Sequence, residues 1–585
     1  MRFNNLAEVT KYLEKYIPLV SEVTGKNITI ERMRPIMKAL GNPEKRLKVI
    51  HVAGTSGKTS TTYYITALLA ATGKKIGTTV SPHIDKITER VQINGQLISD
   101  SDFCDNVAII AELIEKTDLK PTYFEFLIAF AYWYFEKVKV DYAVVETGFG
   151  GLEDSTNIAE EANKVCVITD IGYDHMHILG NTLPEIAAQK AGIIHTGNQT
   201  FMFEQAPEIT GVFEKRAENE GAKLEFVTMK SSDLTKGLPD FQKRNWQLAH
   251  EVFEYLRNRD KLKSLGTQEL IATTLVNIPA RMDISNIKGK KVVMDGAHNG
   301  QKMATFVRDF KSKFGPQKVP VLLSLKRGKE HADVLPEIKT MASELVLTSY
   351  SLVQDTALHS TDLQELAAAA KTYGITDVKI IENQNDAYKY LLSRNSDILV
   401  VTGSFYLISQ LRGNHPELKS HKVKLIAAID EQNGIAKTKA GTPGFIPWRE
   451  NIPGDQTHFR TLIKDGPVAM GWNTYLANNS KPFGQGKNFV FSNKAQKTSL
   501  GVAVVNEADK FLAENLEDIW VIGGGKIFEL ALPYAAELNL TRVVGDFGCD
   551  VFFPKFEEDY ILANEQAPVE ENGVKYQFQT WVRKV

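Results

Sequence analysis

The segment Gly54-Thr55-Ser56-Gly57-Lys58-Thr59-Ser60 carries the residue types of a phosphate-binding loop. Glycines let backbone N–H groups converge on phosphate oxygens, a following helix N-terminus favours negative charge, and Lys58 adds a point charge. The hydroxyl of Thr59 stands where Mg²⁺ is often held. The strict spacing G-x-x-x-x-G-K-[ST] asks for glycine at position 52, where the chain has Val52, so the fragment alone also fits a structural turn. Three further polar islands interrupt apolar strand ends: SPHIDKITERVQING (81–95), ETGFGGLEDSTN (146–157) and DIGYDHMHILG (170–180). Carboxylate, imidazole and hydroxyl groups at the carboxyl ends of parallel strands suit a divalent metal bridging phosphates. Each island alone also reads as a helix cap or a satisfied loop. GFGG (148–151) lacks the G-x-G-x-x-G spacing of a dinucleotide fingerprint.

Two features stand out nearer the C-terminus. Asp455 falls at the start of an amphipathic pattern, in NIPGDQTHFRTLI (451–463). There it reads either as a helix N-terminal charge or as a buried acid available for proton transfer. VIGGGKIFE (521–529) has the order strand, three glycines, helix, which makes either a pyrophosphate cradle or a tight turn.

The elements that position these groups alternate strand and helix. The runs KVIHVA (48–53), YAVVET (142–147), KVCVITDI (164–171), KVVMDGA (291–297), VPVLLSL (319–325), ELVLTSY (344–350) and DILVVTG (397–403) are apolar on both faces. Helical patterns cover residues 101–117 and 122–137. This predicts mostly parallel α/β sheets, two of them, joined near NIPARMDISNIKGKK (277–291). A third unit opens with KLIAAID (424–430), passes through a long polar loop (431–445), and ends in an antiparallel-looking tail, VKYQFQTWVRKV. The length of 585 residues predicts roughly three to four domains. With 69 Lys plus Arg against 71 Asp plus Glu, the net charge is −2, which excludes a nucleic-acid-binding surface as the organising feature. Three separated cysteines make no C-x-x-C pair, which argues against disulfides and structural zinc. No 18-residue apolar run or signal-peptide core occurs, so the chain reads as cytoplasmic, without a membrane partner.

Residues 1 to about 415 resemble folylpolyglutamate synthase / dihydrofolate synthase, a branch of the Mur-type ATP-dependent amide ligases. The matching pieces are GTSGKTS, SPH with ERVQING, the FE of TYFEFLIAF, ETGFGG with DSTN, DH with LG, QKAGI, FQKRN, PAR, DGAHN and TGSFYL. The resemblance implies that ATP is held by the loop Gly54–Ser60, with Gln242 and Asn245 near the adenine and Arg281, Asp295 and His298 reaching in from a second domain. It implies Mg²⁺ on Ser81, Glu146, His175 and a carbamylated Lys190, and makes Lys58, His175 and Lys190 the catalytic set. Departures from the family pattern are Ser56 and Thr59 in the loop, Leu152 for an arginine, Gln189 for a glutamate and Ala280 for a glycine.

Residues 423–585 resemble dihydrofolate reductase through LIAAID, IPW, the acid of IPGDQTHFR, MGWNTY, KNFVFSN, VIGGGKIFE and LNLTRV. The resemblance implies that Asp455 and Thr541 serve the pterin edge and that Ala428, Trp448 and Phe459 line the pterin and nicotinamide pockets. NADPH falls to Ala428, Thr474, Ser492, Asn493, Gly523, Gly524, Gly525 and Lys526. Trp472 replaces the arginine that meets the cofactor 2′-phosphate, and Gly486 replaces the arginine that clamps the folate α-carboxylate. A lysine nearby is no equivalent for a bidentate guanidinium.

The implied architecture is α/β throughout: a P-loop ligase domain (1–287), a Rossmann-like ligase C-terminal domain (288–418) and a reductase-like domain (422–585). The implied cofactors are ATP, Mg²⁺ and NADPH, and the partners are small molecules: dihydropteroate or folate, L-glutamate and dihydrofolate. Oligomeric state stays open. The leading reading is a folate ligase fused to a dihydrofolate reductase. The alternatives are a ligase with a C-terminal pterin-binding module that is inactive or acts on another pterin, and a cell-wall Mur ligase.

Overall fold

The computed structural model describes residues 1–585 except 19–28, 288, 328–330, 354–356, 420–421, 440–441, 495–496, 514–517 and 585. The chain divides into two compact units. The first comprises Met1–Leu69, Lys74–Leu262 and Val276–Leu418; the second comprises Ala70–Gly73, Lys263–Leu275 and Lys419–Val585.

The first unit contains two sheets. One has eight strands in the order Gln96–Leu97, Gln92–Ile93, Ile76–Thr79, Tyr142–Glu146, Val49–Ala53, Val165–Ile168, Gln199–Phe203 and Lys223–Val227. Val49–Ala53 lies between two parallel neighbours and is buried along its whole length, which is why its sequence is apolar apart from His51 rather than an alternation. Helices Asp100–Glu115 and Tyr123–Lys137 fall close to the helical patterns in the sequence. The second is started by a reciprocal cap between Thr122 and Glu125 and buries an aromatic stripe that includes Phe126, Phe130 and Tyr134.

The second sheet orders Val378–Ile380, Ala342–Leu347, Val319–Leu323, Ile398–Thr402, Lys290–Asp295 and Asp283–Ile287. Within the stretch anticipated as an interdomain join, Asp283–Ile287 pairs antiparallel with Lys290–Asp295 in this sheet. A boundary at 287/288 would cut that hairpin, and Lys288 itself lies outside the described residues. The strand was hidden because two of its buried positions are polar. Asp283 accepts from Arg412, and the Ser285 hydroxyl donates to the Leu418 carbonyl at 2.8 Å.

The second unit is built on a nine-stranded sheet. Its path runs Val502–Val505, Asn488–Phe491, Val468–Gly471, Ile519–Val521, Val423–Ile429, Ala535–Val543, Val574–Arg583 and Tyr560–Glu565, with Val569–Glu571 also pairing Val574–Arg583. The tail is antiparallel, as expected. The long polar loop at 431–445 is largely strand: Gly434–Lys439 pairs with Val551–Phe552 and with Thr442–Phe445. Residues 440–441 of that loop lie outside the described set. Helix Thr267–Thr274 packs on strand Tyr560–Glu565, so a segment from the middle of the sequence belongs to this unit and not to a domain ending at 287. Among the described residues no helix is long and apolar enough to cross a membrane.

Candidate active sites

The strand Val49–Ala53 delivers the glycine loop to the carboxyl edge of the first sheet. Gly54 has φ +147°, and a Cβ there would lie 1.9 Å from Thr169 Oγ1. Gly57 has φ +95°, and its Cβ would lie 2.4 Å from Asn245 Oδ1. Both positions therefore require glycine on conformational and steric grounds. The N–H groups of Thr55 and Ser56 donate to the Asp170 carbonyl at 2.8 and 3.1 Å, and the Thr55 hydroxyl donates to Gly172 O at 3.0 Å. These groups brace the loop against the next strand end. Gly57, Lys58 and Thr59 line a cavity of about 1060 Å³, with Lys58 Nζ 3.2 Å from Gly54 O. Ser60 is buried behind the loop and its hydroxyl has no hydrogen-bond partner. Gln242 and Asn245 are buried on helix Asp240–Asp260, where Asn245 rests against Gly57 and Gln242 Oε1 is unpartnered.

Glu146 ends the strand beside the loop. Thr59 Oγ1 donates to its Oε1 at 2.8 Å and Ser81 N to its Oε2 at 3.2 Å. Burial pushes the Glu146 carboxyl up, opposed first by the charge of Lys58. Ser81 Oγ, alongside, is buried without a hydrogen-bond partner. Among the described residues no group of three His, Cys, Asp or Glu forms a ready metal cage. Mg²⁺ ordinarily takes one or two protein oxygens and completes its shell with phosphate and water, and Glu146 with the unpaired Ser81 hydroxyl fits that pattern.

His175 also lines the cavity; its φ is +51° and its ring meets Phe149 edge-on at 4.7 Å. Its neighbour Asp174 is the hub of a charged group that the sequence did not single out. Lys302 Nζ is 3.2 Å from Asp174 Oδ2, and His298 Nε2 is 3.7 Å from the same oxygen. His298 Nδ1 lies 2.8 Å from the Gly296 carbonyl and Nε2 lies 3.0 Å from Lys302 Nζ. A carbonyl only accepts and an ammonium only donates, so Nδ1 carries the proton and Nε2 the lone pair. The available signal for Lys302 was its position one helical turn after His298.

Lys190 is only 4% exposed, with Nζ donating to Gly54 O at 2.8 Å. Burial, then the nearby Lys58 charge, lowers its pKa to about 7. Arg281 lines the cavity with its guanidinium 4.3 Å from the Phe405 ring. Asp295 behaves differently from the other second-sheet residues. Its two oxygens accept from Met282 N and Ala297 N, both at 2.9 Å, burial pushes it up to about 6, and it braces its own loop rather than lining the cavity.

In the second unit, helix Pro453–Leu462 carries Asp455 in its first turn. Thr541 Oγ1 donates to Asp455 Oδ1 at 2.6 Å. Burial raises the pKa of Asp455, the Thr541 bond opposes, and the charge of Glu571 raises it further. Trp448 is fully buried against Phe547 at 5.0 Å, and its indole N–H has no partner. Phe459 meets Phe483 edge-on at 5.9 Å, and Ala428 is half-buried in strand Val423–Ile429. Gly523 has φ +134°, and Cβ atoms at Gly523 and Gly524 would come within 3.4 and 3.6 Å of Thr474 Oγ1. That hydroxyl and the bare glycine turn form a cradle in front of helix Gly525–Ala531, on which Lys526 is exposed. Ser492 Oγ donates to Lys494 O at 3.2 Å and accepts from Lys494 N at 3.3 Å, so it closes its own loop; Asn493 beside it is exposed.

Comparison with known proteins finds family matches in both units. Residues 52–287 match the Mur ligase middle domain, residues 280–405 the Mur ligase glutamate ligase domain, and residues 422–583 dihydrofolate reductase. The chain is 31% identical over 414 residues to the dihydrofolate synthase/folylpolyglutamate synthase of Bacillus subtilis, covering 65% of this chain and 93% of that protein. It is 30% identical over 417 residues to the dihydrofolate synthetase of Saccharomyces cerevisiae, covering 66% and 97%. Among solved structures, it is similar to a Mycobacterium tuberculosis folylpolyglutamate synthase complexed with ADP (TM-score 0.61, 25% identity, covering 70% of this chain and 97% of that one). It is likewise similar to the bifunctional folylpolyglutamate synthase/dihydrofolate synthase of Yersinia pestis (TM-score 0.58, 25% identity, 70% and 98%). Aligned over nearly the whole of such relatives, the chain belongs to the dihydrofolate synthase/folylpolyglutamate synthase family of Mur ligases, followed by a dihydrofolate reductase domain.

Proposed function

We propose that this chain carries out two reactions of folate synthesis. The first unit joins L-glutamate to dihydropteroate or a folate with ATP, through an acyl phosphate, and the second reduces dihydrofolate with NADPH. The observation that carries the ligase reading is the convergence of Lys58, Thr59, Ser81, Glu146, His175, Arg281 and His298 on one cavity of about 1060 Å³. Lys58 and the glycine loop hold the phosphates, and Arg281 and His298 approach them from the second sheet. Thr59, Ser81 and Glu146 hold Mg²⁺, which when bound supplies charge neutralisation for phosphoryl transfer. Lys190, with its lowered pKa, is poised to be carbamylated and so to become an anion facing that metal. Positioning and electrostatics carry this chemistry, and no protein nucleophile is required.

In the reductase unit, NADPH supplies the hydride. The protein supplies the rest: Gly523–Gly525 and Thr474 hold the cofactor, Trp448 and Phe459 frame the pterin, and Asp455 holds a proton near its edge. A second reading of this unit is favoured by Gly486. A Cβ there would lie 2.1 Å from Gly466 O, so the position is closed to any side chain and a carboxylate-clamping arginine is excluded from it. A substrate lacking the glutamate carboxylate, dihydropteroate itself, loses nothing at such a site.

NADPH oxidation by the purified chain, supplied with dihydropteroate, L-glutamate, ATP and Mg²⁺, tests both readings. Oxidation that stops when ATP or glutamate is withheld supports the sequential reading. Oxidation that continues without them assigns the reductase to dihydropteroate, and ADP formation without any oxidation removes the reductase assignment.

A further inference from the structure

The strand pair Val569–Glu571 and Val574–Arg583 is joined by Asn572 and Gly573, both with positive φ (46° and 77°). This is the two-residue hairpin that an Asn-Gly sequence favours. Its tip is docked on the start of the helix that bears Asp455. Asn572 Nδ2 donates to Asn451 O at 3.0 Å, and Gly454 N donates to Glu571 Oε2 at 2.9 Å. A Cβ at Gly454 would lie 2.9 Å from Glu571 Oε1 and 2.3 Å from the Tyr576 hydroxyl. Glycine at 454 is therefore what lets a second carboxylate reach the backbone immediately before the acid.

Two carboxylates thus share one helix start. The N-terminus of helix Pro453–Leu462 favours negative charge and on its own would draw Asp455 toward its ionised form. Glu571 already occupies that field and accepts one of its N–H groups. Among the described residues, the groups facing Asp455 add no compensating cation. Thr541 comes from strand Ala535–Val543; Glu571 and the buried Tyr576 come from the hairpin. On its own helix, His458 meets the Phe578 ring at a tilt, 4.0 Å away, and burial lowers it to about 4, leaving it neutral at pH 7. Lys575 turns to Glu570 at 3.6 Å, and Arg542 to Asn433 at 2.6 Å. Arg449 and Glu450, in the turn before the helix, are exposed.

We propose that Glu571 is a positioning residue of the reductase site, brought by the hairpin tip to the start of the acid-bearing helix so that its carboxylate bears on Asp455 through the shared helix start. The proposal rests on the reading of Asp455 as the proton source. Glu571→Gln in the full chain retains an acceptor for Gly454 N and removes the charge. The expected result is that the high-pH limb of the reductase pH–rate profile moves down by about one unit. Above that limb turnover falls about tenfold with KM little changed, and Glu571→Asp recovers part of the loss. An unchanged urea midpoint for the near-ultraviolet signal and unchanged NADPH binding in the same preparation report intact folding of the second unit. A limb that stays in place, with or without a uniform loss at every pH, overturns the proposal.

A second measurement does not depend on turnover. With ¹³C-carboxyl aspartate in the full chain, and Asp455→Asn to assign the resonance, the Asp455 titration midpoint is read in the parent and in Glu571→Gln. A fall of about one unit supports the proposal, and an unmoved midpoint sinks it. A fall in a chain that oxidises NADPH with no dihydropterin upholds the role of Glu571 and removes instead the reading of Asp455 as a reductase acid.

Discussion

Lys190 offers the sharpest test of the ligase site. Its amine is buried, donates to Gly54 O at 2.8 Å, and has its pKa lowered to about 7, first by burial and then by the charge of Lys58. At pH 7 about half of such amines are neutral, against roughly one in 3000 for an ordinary lysine, an enrichment of about 1500-fold in the form that can add CO₂. Addition of CO₂ to the neutral amine forms an N–C bond, releases one proton and converts an uncharged group into an anion, which Lys58 and Lys302 close by would stabilise. In ¹³C-bicarbonate the full chain should show a carbamate resonance that is absent from Lys190→Met, and ligase turnover should fall in CO₂-depleted buffer. Lys190→Met should lower that turnover by about 100-fold or more, the range for losing a preorganised electrostatic group, and leave NADPH oxidation with dihydrofolate unchanged. Stability gives an independent check. The folded pKa lies below the unfolded value of 10.5, so the unfolded chain binds more protons between about pH 7 and pH 10.5, and this lysine's contribution to stability rises with pH across that window. Below pH 7 its burial cost is fully present, so Lys190→Met is expected to be at least as stable as the parent at pH 6. The reasoning is refuted if no carbamate forms and Lys190→Met turns over within about threefold of the parent.

Three further outcomes follow from the geometry. Gly57→Ala places a Cβ 2.4 Å from Asn245 Oδ1 at φ +95°; ATP-dependent ADP release should be lost while NADPH oxidation with dihydrofolate persists. Arg412 is 3% exposed and pairs with Asp85 at 2.8 Å and with Asp283. Arg412→Leu strands two carboxylates and should destabilise the first unit by about 3–5 kcal/mol, read as an earlier loss of ligase activity in a urea titration; adding Asp85→Asn and Asp283→Asn should restore much of it. Asp455→Asn should lower reductase turnover by about 10²–10⁴-fold and spare the ligase. Because the Asp455 pKa is raised, parent turnover should decline with increasing pH only above the ordinary carboxylate range.

Much of the fold was legible because its signals are local. A strand flanked by two parallel neighbours is mostly apolar on both faces, so Val49–Ala53, with only His51 polar, and Ile398–Thr402, polar only at its end, announce themselves as near-continuous apolar runs. The glycines of residues 54–57 and 523–525 mark close backbone approaches that any side chain would block. Asp455 at a helix start was equally readable from its place in NIPGDQTHFRTLI. Where local pattern and burial disagreed, the reading failed. Asp283–Ile287 is a strand with buried polar residues whose partners, Arg412 and Leu418, lie more than a hundred positions away. The segment 431–445 looked like loop because its strands are polar.

The charge states and partnerships inside the sites were decided by tertiary structure alone. Lys190 has the sequence surroundings of an ordinary helical lysine; only the loop at Gly54, 136 positions earlier, buries it and shifts its pKa. Lys302 and Asp174 meet 128 positions apart, and Glu571 reaches Gly454 across 117. Types and spacings of residues determine which chemistry a chain is equipped for, because strand period, helix start and glycine freedom are properties of neighbours. Protonation and pairing depend on the local dielectric and on charges within a few ångströms. Those are set by parts of the chain that only folding brings together.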